Sequence, residues 1–98
     1  MGRDEVIAKL RQHEPALKAD GILHLALFGS TARNEADEAS DVDLMAEYDP
    51  NKRLSLLDIA GLHLQLEDLL GAKVDLCTRK LIKPILKPYV EADAIDAF

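Results

Sequence analysis

Apolar and polar positions change period several times along the chain, and each change predicts an element. Val6, Ile7 and Leu10 recur at helical spacing, so residues 4–13 predict a one-sided helix. Pro15 interrupts it. A proline is tolerated in a first helical turn, so residues 15–18 restart a short helical piece, with Leu17 inward and Asp20-Gly21 as the stop. Residues 22–28 are too short and too apolar for an independent helix and predict a buried strand. His24 within it reads as a structural histidine, because no second metal-ligand type sits at a useful spacing.

Beyond Gly29-Ser30, residues 31–36 predict a helical turn or two and a polar loop runs to Ser40. Residues 41–48 predict a second strand, and the short connection from the first favours antiparallel pairing. Asp49-Pro50-Asn51 is a turn. Ser55 followed by Asp58 matches a capping box that opens a helix to about Leu70, with Gly71 as its stop. Its apolar residues make two stripes, Leu56, Ile59, Ala60, Leu66 and Leu70 on one side and Leu57, Gly61 and Leu64 on another. Such a helix is either sandwiched within the fold or set at an interface with a partner.

In residues 73–78, Val74 and Leu76 alternate with Asp75 and Cys77, which predicts a third strand. Reached through a full helix, it is expected to run parallel to the second, bringing Asp75 to the sheet end that holds Asp41 and Asp43. Cys77 reads as a small packing residue, since no base partner is apparent. Pro84 can begin a tail helix, which Pro88 either kinks or displaces to a later start, with Ile82, Ile85, Leu86 and Val90 suggesting one buried face; residues 94–98 either fray or add a short strand. The expected fold class is α/β (α+β): a small mixed β-sheet with helices packed on it, residues 1–98 forming one domain.

Composition narrows the function classes. Forty-eight per cent hydrophobic and 31% charged residues are ordinary for a soluble domain, and no apolar segment reaches the length of a membrane span or the core of a signal peptide. A cytoplasmic location, with no membrane partner, is therefore expected. The one cysteine, Cys77, rules out an internal disulfide and a cysteine-rich zinc site. A net charge of -6 argues against direct nucleic-acid binding, which runs on Lys and Arg.

The stretch Leu25 to Leu44 carries the candidate chemistry. Strand alternation puts Asp41 and Asp43 on one surface, with Val42 and Leu44 on the other. Two negative charges ~4 Å apart repel by roughly 4 kcal/mol at an effective dielectric of ~20. A shared proton offsets this, or a divalent cation; if the site handles phosphate, Mg²⁺ suits the hard oxygen ligands better. Gly29 permits close backbone approach, and Ser30 or Thr31 can cap the short helix while its first N–H groups bind an anion. With Asp75 added, Asp41 and Asp43 form the three-carboxylate set of a two-metal phosphoryl-transfer site, Ser30 and the N–H groups after Gly29 holding the β- and γ-phosphates. Arg33 can reach phosphate or pair with Glu35 or Asp37.

Gly29-Ser30-Thr31-Ala32-Arg33 followed by Ser40-Asp41-Val42-Asp43-Leu44 resembles the signature of the nucleotidyltransferase superfamily related to DNA polymerase beta, in its smallest branch, the minimal nucleotidyltransferase (MNT) proteins. The resemblance covers nearly the whole chain; Asn34 departs from it, where relatives often carry glycine. It implies a polymerase-beta-palm-like fold, catalytic and metal-binding roles for Asp41, Asp43 and Asp75, and a phosphate turn at Gly29 and Ser30. It further implies transfer of AMP from ATP with Mg²⁺, two ions in the two-metal form, and a small helical HEPN-type toxin as partner, neutralised by binding and in some systems by adenylylation. A chain this short has no room for a second substrate-enclosing domain, so a partner or a second copy in a homo-oligomer would supply the missing wall. The competing readings are a catalytically silent antitoxin that neutralises by binding alone and a small-molecule nucleotidyltransferase of the antibiotic-modifying kind.

Overall fold

Helix α1 (Arg3–Gln12) and helix α2 (Glu14–Ala19) form where the apolar spacing and Pro15 place them, and Val6, Leu10 and Leu17 are fully buried. The structure, a computed structural model, describes residues 2–33, 41–79, 85, 88, 91–92 and 94–98. Strand β1 (Ile22–Leu27) follows Gly21, whose φ of +112° turns the chain sharply. A short helix α3 (Gly29–Ala32) leads towards strand β2 (Val42–Tyr48). Helix α4 (Leu56–Leu70), strand β3 (Val74–Thr78) and the two-residue strand β4 (Ile95–Asp96) complete the described elements.

The sheet order is β3-β2-β1-β4, with β1 antiparallel to both β2 and β4, and β2 parallel to β3. This mixed sheet bears out the expected strand directions and decides that residues 94–98 add a strand. Val42, Leu44, Ala46 and Val74 join Leu25 and Leu27 in one core cluster with Leu62, Leu66 and Leu70 of α4 and with Val6, Leu10 and Leu17. Helices therefore cover one face of the sheet. α1 is tied to the start of the site, because Arg3 Nη1 donates to the Ala32 carbonyl at 3.3 Å.

The capping box of α4 forms in full: the Ser55 hydroxyl accepts from Asp58 N at 3.2 Å and the Asp58 carboxylate accepts from Ser55 N at 2.9 Å. Gly71 closes the helix with φ +65°. The stripe assignment needs correction. Leu62, absent from either expected stripe, is buried, whereas Leu56 is 86% exposed; Leu57 and Leu64, at 84% and 63%, make an uncovered apolar flank. Only one side of α4 meets the sheet, so a single i, i+4, i+8 row is buried.

Two more expectations change. His24 lies on β1 but faces solvent, because a register shift beside Ile22 leaves it opposite Glu47 on the face away from the helices. Ile85, expected on a buried face, is 77% exposed; Ile82, Leu86 and Val90 lie outside the described residues, as do residues 34–40 and most of the residues expected to form a tail helix. No helix among the described residues is long and apolar enough to cross a membrane.

Candidate active site

The register of three strands assembles the site on the sheet face opposite the helices. In parallel pairing, aligned residues point to the same face, and Asp43 is aligned with Asp75. Strand spacing of about 4.8 Å makes them lateral neighbours. The next aligned pair along this face is Met45 with Cys77, flanked on β1 by Ala26. Beyond it Glu47 accepts from Arg79 Nη1 at 2.9 Å, with Glu91 and Asp96 oxygens 3.6 and 3.8 Å from the same guanidinium. Acidic side chains thus gather at one end of the row, and those at the other share one guanidinium.

Asp43 is half-buried and Asp75 exposed, the latter on the outermost strand of the sheet. Asp41 stands exposed just before β2, anchored by its successor: Val42 N donates to the Lys73 carbonyl at 2.8 Å. Burial first, then the charges of Asp75 and Asp43, push the Cys77 thiol above its ordinary pKa. A neutral thiol suits a packing role and not that of a nucleophile.

Gly29 brings the turn between β1 and α3 against this row. Its φ is +61°, and a Cβ placed on it would stand 2.8 Å from Asp43 Oδ2, so backbone conformation and carboxylate position both call for glycine. Helix α3 begins at Gly29, two residues before the expected start, with Phe28 as N-cap and no side-chain cap. Thr31 does not cap it. Its buried hydroxyl accepts from Asp43 N at 3.0 Å, a role that the motif reading missed and that a threonine two places beyond the glycine offers as its only signal. Ser30 lies on the first turn of α3, its side chain outside what is described; Arg33 ends α3 with an exposed side chain, and Glu35 and Asp37 lie outside the described residues.

A pair of carboxylates open to one side is a donor set that suits Mg²⁺. Among the described residues no three His, Cys, Asp or Glu side chains stand close enough to enclose a metal. Mg²⁺ does not require such a cage: it commonly takes one or two carboxylates, keeps waters and draws its other ligands from substrate phosphates. Asp43 and Asp75 supply that open arrangement; the three-carboxylate set expected with Asp41 does not form among the described residues, because Asp41 stands exposed one residue before β2, outside the paired register.

Comparison with known proteins follows the same outline. A family model described as "Nucleotidyltransferase domain" matches residues 6–98. A Methanocaldococcus jannaschii protein named "Putative protein adenylyltransferase MJ1379" is 43% identical over 93 residues, covering 93% of each chain. A solved structure described as a "putative minimal nucleotidyltransferase" shares the fold at a TM-score of 0.81 and 35% identity, over 97% of this chain and 95% of the other. At 20% identity and a TM-score of 0.58, the fold also recurs in a complex of tri-AMPylated Shewanella oneidensis HEPN toxin with MNT antitoxin, over 98% of this chain and 68% of that one.

Proposed function

Because the chain belongs to the nucleotidyltransferase domain family, we propose that it moves AMP from ATP onto a small helical HEPN-type toxin, as the antitoxin of the pair. The observation that carries this reading is the lateral pairing of Asp43 with Asp75, with the Gly29 turn against the Asp43 carboxylate. Two acids on one row, facing a glycine turn, are what a triphosphate and its cation need from a protein. Mg²⁺, when bound, would offset the repulsion between the carboxylates and the charge of the phosphates.

In the transfer, an acceptor oxygen of the partner forms a bond to the α-phosphorus while the bond from that phosphorus to the pyrophosphate oxygen breaks. Pyrophosphate leaves, and the acceptor's proton passes to a carboxylate or to water. Asp43 and Asp41 orient the triphosphate end; Asp75, exposed on the edge strand, is open to the acceptor side and can take the proton. Gly29 and Ser30 hold the β- and γ-phosphates through the backbone of the turn, and Arg33 adds positive charge at its end. The relative named for protein adenylylation supports a protein acceptor, and the fold shared with a toxin–antitoxin complex supports the toxin class.

The test is incubation of the folded chain with its HEPN partner, labelled ATP and Mg²⁺. An AMP adduct on the partner, lost in Asp43→Asn and Asp75→Asn proteins that remain folded, is the expected result; no adduct with folded wild type overturns catalysis. A second reading, neutralisation by binding alone, draws on the uncovered leucine flank of α4, which would dock a partner whatever the site does. On that reading Asp41→Asn/Asp43→Asn neutralises the toxin as well as wild type does.

A further inference from the structure

We propose that Thr31 is a positioning residue for Asp43, its hydroxyl standing in for a main-chain carbonyl that the phosphate turn takes out of the sheet. This rests on the site proposed above. The antiparallel ladder between β1 and β2 ends with Leu27 opposite Leu44, so the next pair in register is Phe28 with Asp43. A regular hydrogen-bonded pair would exchange two bonds there. One of them forms: Phe28 N donates to the Asp43 carbonyl at 3.1 Å. The other cannot, because the chain swings away at Gly29 and the Phe28 carbonyl accepts instead from Ala32 N, at 3.4 Å, as the cap of α3.

Asp43 N therefore needs another acceptor, and β3 cannot supply it. The parallel ladder takes alternate residues of β2, starting with Val42 N on the Lys73 carbonyl at 2.8 Å, so Asp43 N points towards β1. There it meets Thr31 Oγ1 at 3.0 Å. Thr31 is 4% exposed, with little room for water to replace the hydroxyl. The two bonds clamp the Asp43 backbone between the turn and the helix that follows it. Its carboxylate is thereby held against Gly29 and beside Asp75. Thr31 reaches no reacting atom on this account; it acts through Asp43.

The experiment compares Thr31→Val, which keeps the shape and lacks the acceptor, with Thr31→Ser, which keeps the acceptor. Three readouts are taken on proteins shown to be folded: hydrogen exchange of individual β2 amides by NMR, Mn²⁺ binding in the presence of a non-hydrolysable ATP analogue by electron paramagnetic resonance, and steady-state AMP transfer. For Thr31→Val we expect Asp43 amide exchange to accelerate about tenfold relative to Leu44 and Ala46, the size of one lost hydrogen bond. Mn²⁺ should bind several-fold more weakly, and kcat should fall about tenfold with KM for ATP changed by less than about twofold, as for an interaction realised only when the carboxylate is in place. Thr31→Ser should restore all three. Unchanged Asp43 exchange and Mn²⁺ binding in Thr31→Val would overturn the proposal. So would acceleration spread evenly along β2, which reports only lost stability. Should the valine protein not fold, Thr31→Ala serves as the acceptor-free variant. If wild type transfers no AMP, the transferase reading falls while amide exchange and Mn²⁺ binding still decide Thr31.

Discussion

Replacing Gly29 by alanine disturbs the turn and the Asp43 carboxylate together, and Gly71 supplies a matched control. Both glycines sit in the left-handed region, at φ +61° and +65°. An L-residue there costs about 1–2 kcal/mol. The sites differ in what a Cβ would meet: nothing within 4 Å at Gly71, and Asp43 Oδ2 at 2.8 Å at Gly29. The carboxylate is the free end of a side chain and can rotate away, at about 0.5–1.5 kcal/mol for a forced departure from its rotamer. Gly71→Ala should therefore lower stability by about 1–2 kcal/mol and Gly29→Ala by about 2–3 kcal/mol. In a chain of this size each kcal/mol lowers Tm by about 4–8 °C.

Function should separate the two variants further. Gly71→Ala touches no part of the proposed site and should transfer AMP at the wild-type rate below its midpoint. Gly29→Ala moves a carboxylate off its place, and a misplacement of about 1 Å costs on the order of a hundredfold in rate. Thermal unfolding by circular dichroism and labelled transfer, assayed well below both midpoints, measure the two effects. Equal loss of stability in the two variants, together with full activity in Gly29→Ala, would refute the close packing of Asp43 on the turn.

Further expectations concern the frame around the site. Ser55→Ala removes the capping box of α4 and should cost about 1 kcal/mol, seen as a Tm drop of about 4–8 °C with transfer intact. Leu57→Asp with Leu64→Asp changes exposed positions, so stability should move by less than about 0.5 kcal/mol per site, while capture of the HEPN partner in a pull-down is lost; retained capture would show that the partner covers another surface. Arg79→Met leaves Glu47, Glu91 and Asp96 without their shared cation and should cost about 1–2 kcal/mol, less than a fully buried pair would, because the acids are partly solvated. Urea unfolding should show that deficit shrinking in high salt, where the repulsion left among the acids is screened.

Much of this fold is written locally. The capping box at Ser55 and Asp58, the stop at Gly71, the restart at Pro15 and the alternation of residues 74–77 each specify an element from within about five residues, and each stands as the sequence predicts. The same local order made Asp43 and Asp75 candidate neighbours, since strand period and a helical crossover are properties of the chain alone. Errors arose where a neighbour decides. His24 has the composition of its strand around it, but a register shift beside Ile22 sets which face it occupies. The two apolar stripes of α4 were visible, yet the sheet covers only one side, so Leu62 is buried and Leu56 is not. Thr31 read as a helix cap because that is what a hydroxyl near a helix start does locally, whereas its partner is the Asp43 amide twelve residues away.

The elements from α1 to β3, and the glycine–aspartate motif that puts a turn and two acids into one segment, are thus legible along the chain, whereas β4 is not. Tertiary structure alone decided that Asp43 lies beside Asp75 in register, that the Gly29 turn presses on the Asp43 carboxylate, and that a threonine hydroxyl completes the broken ladder. The physical reason is range: helix caps, turns and strand period are satisfied by neighbours along the chain, while register, burial and the fate of an orphaned amide depend on which strand arrives alongside.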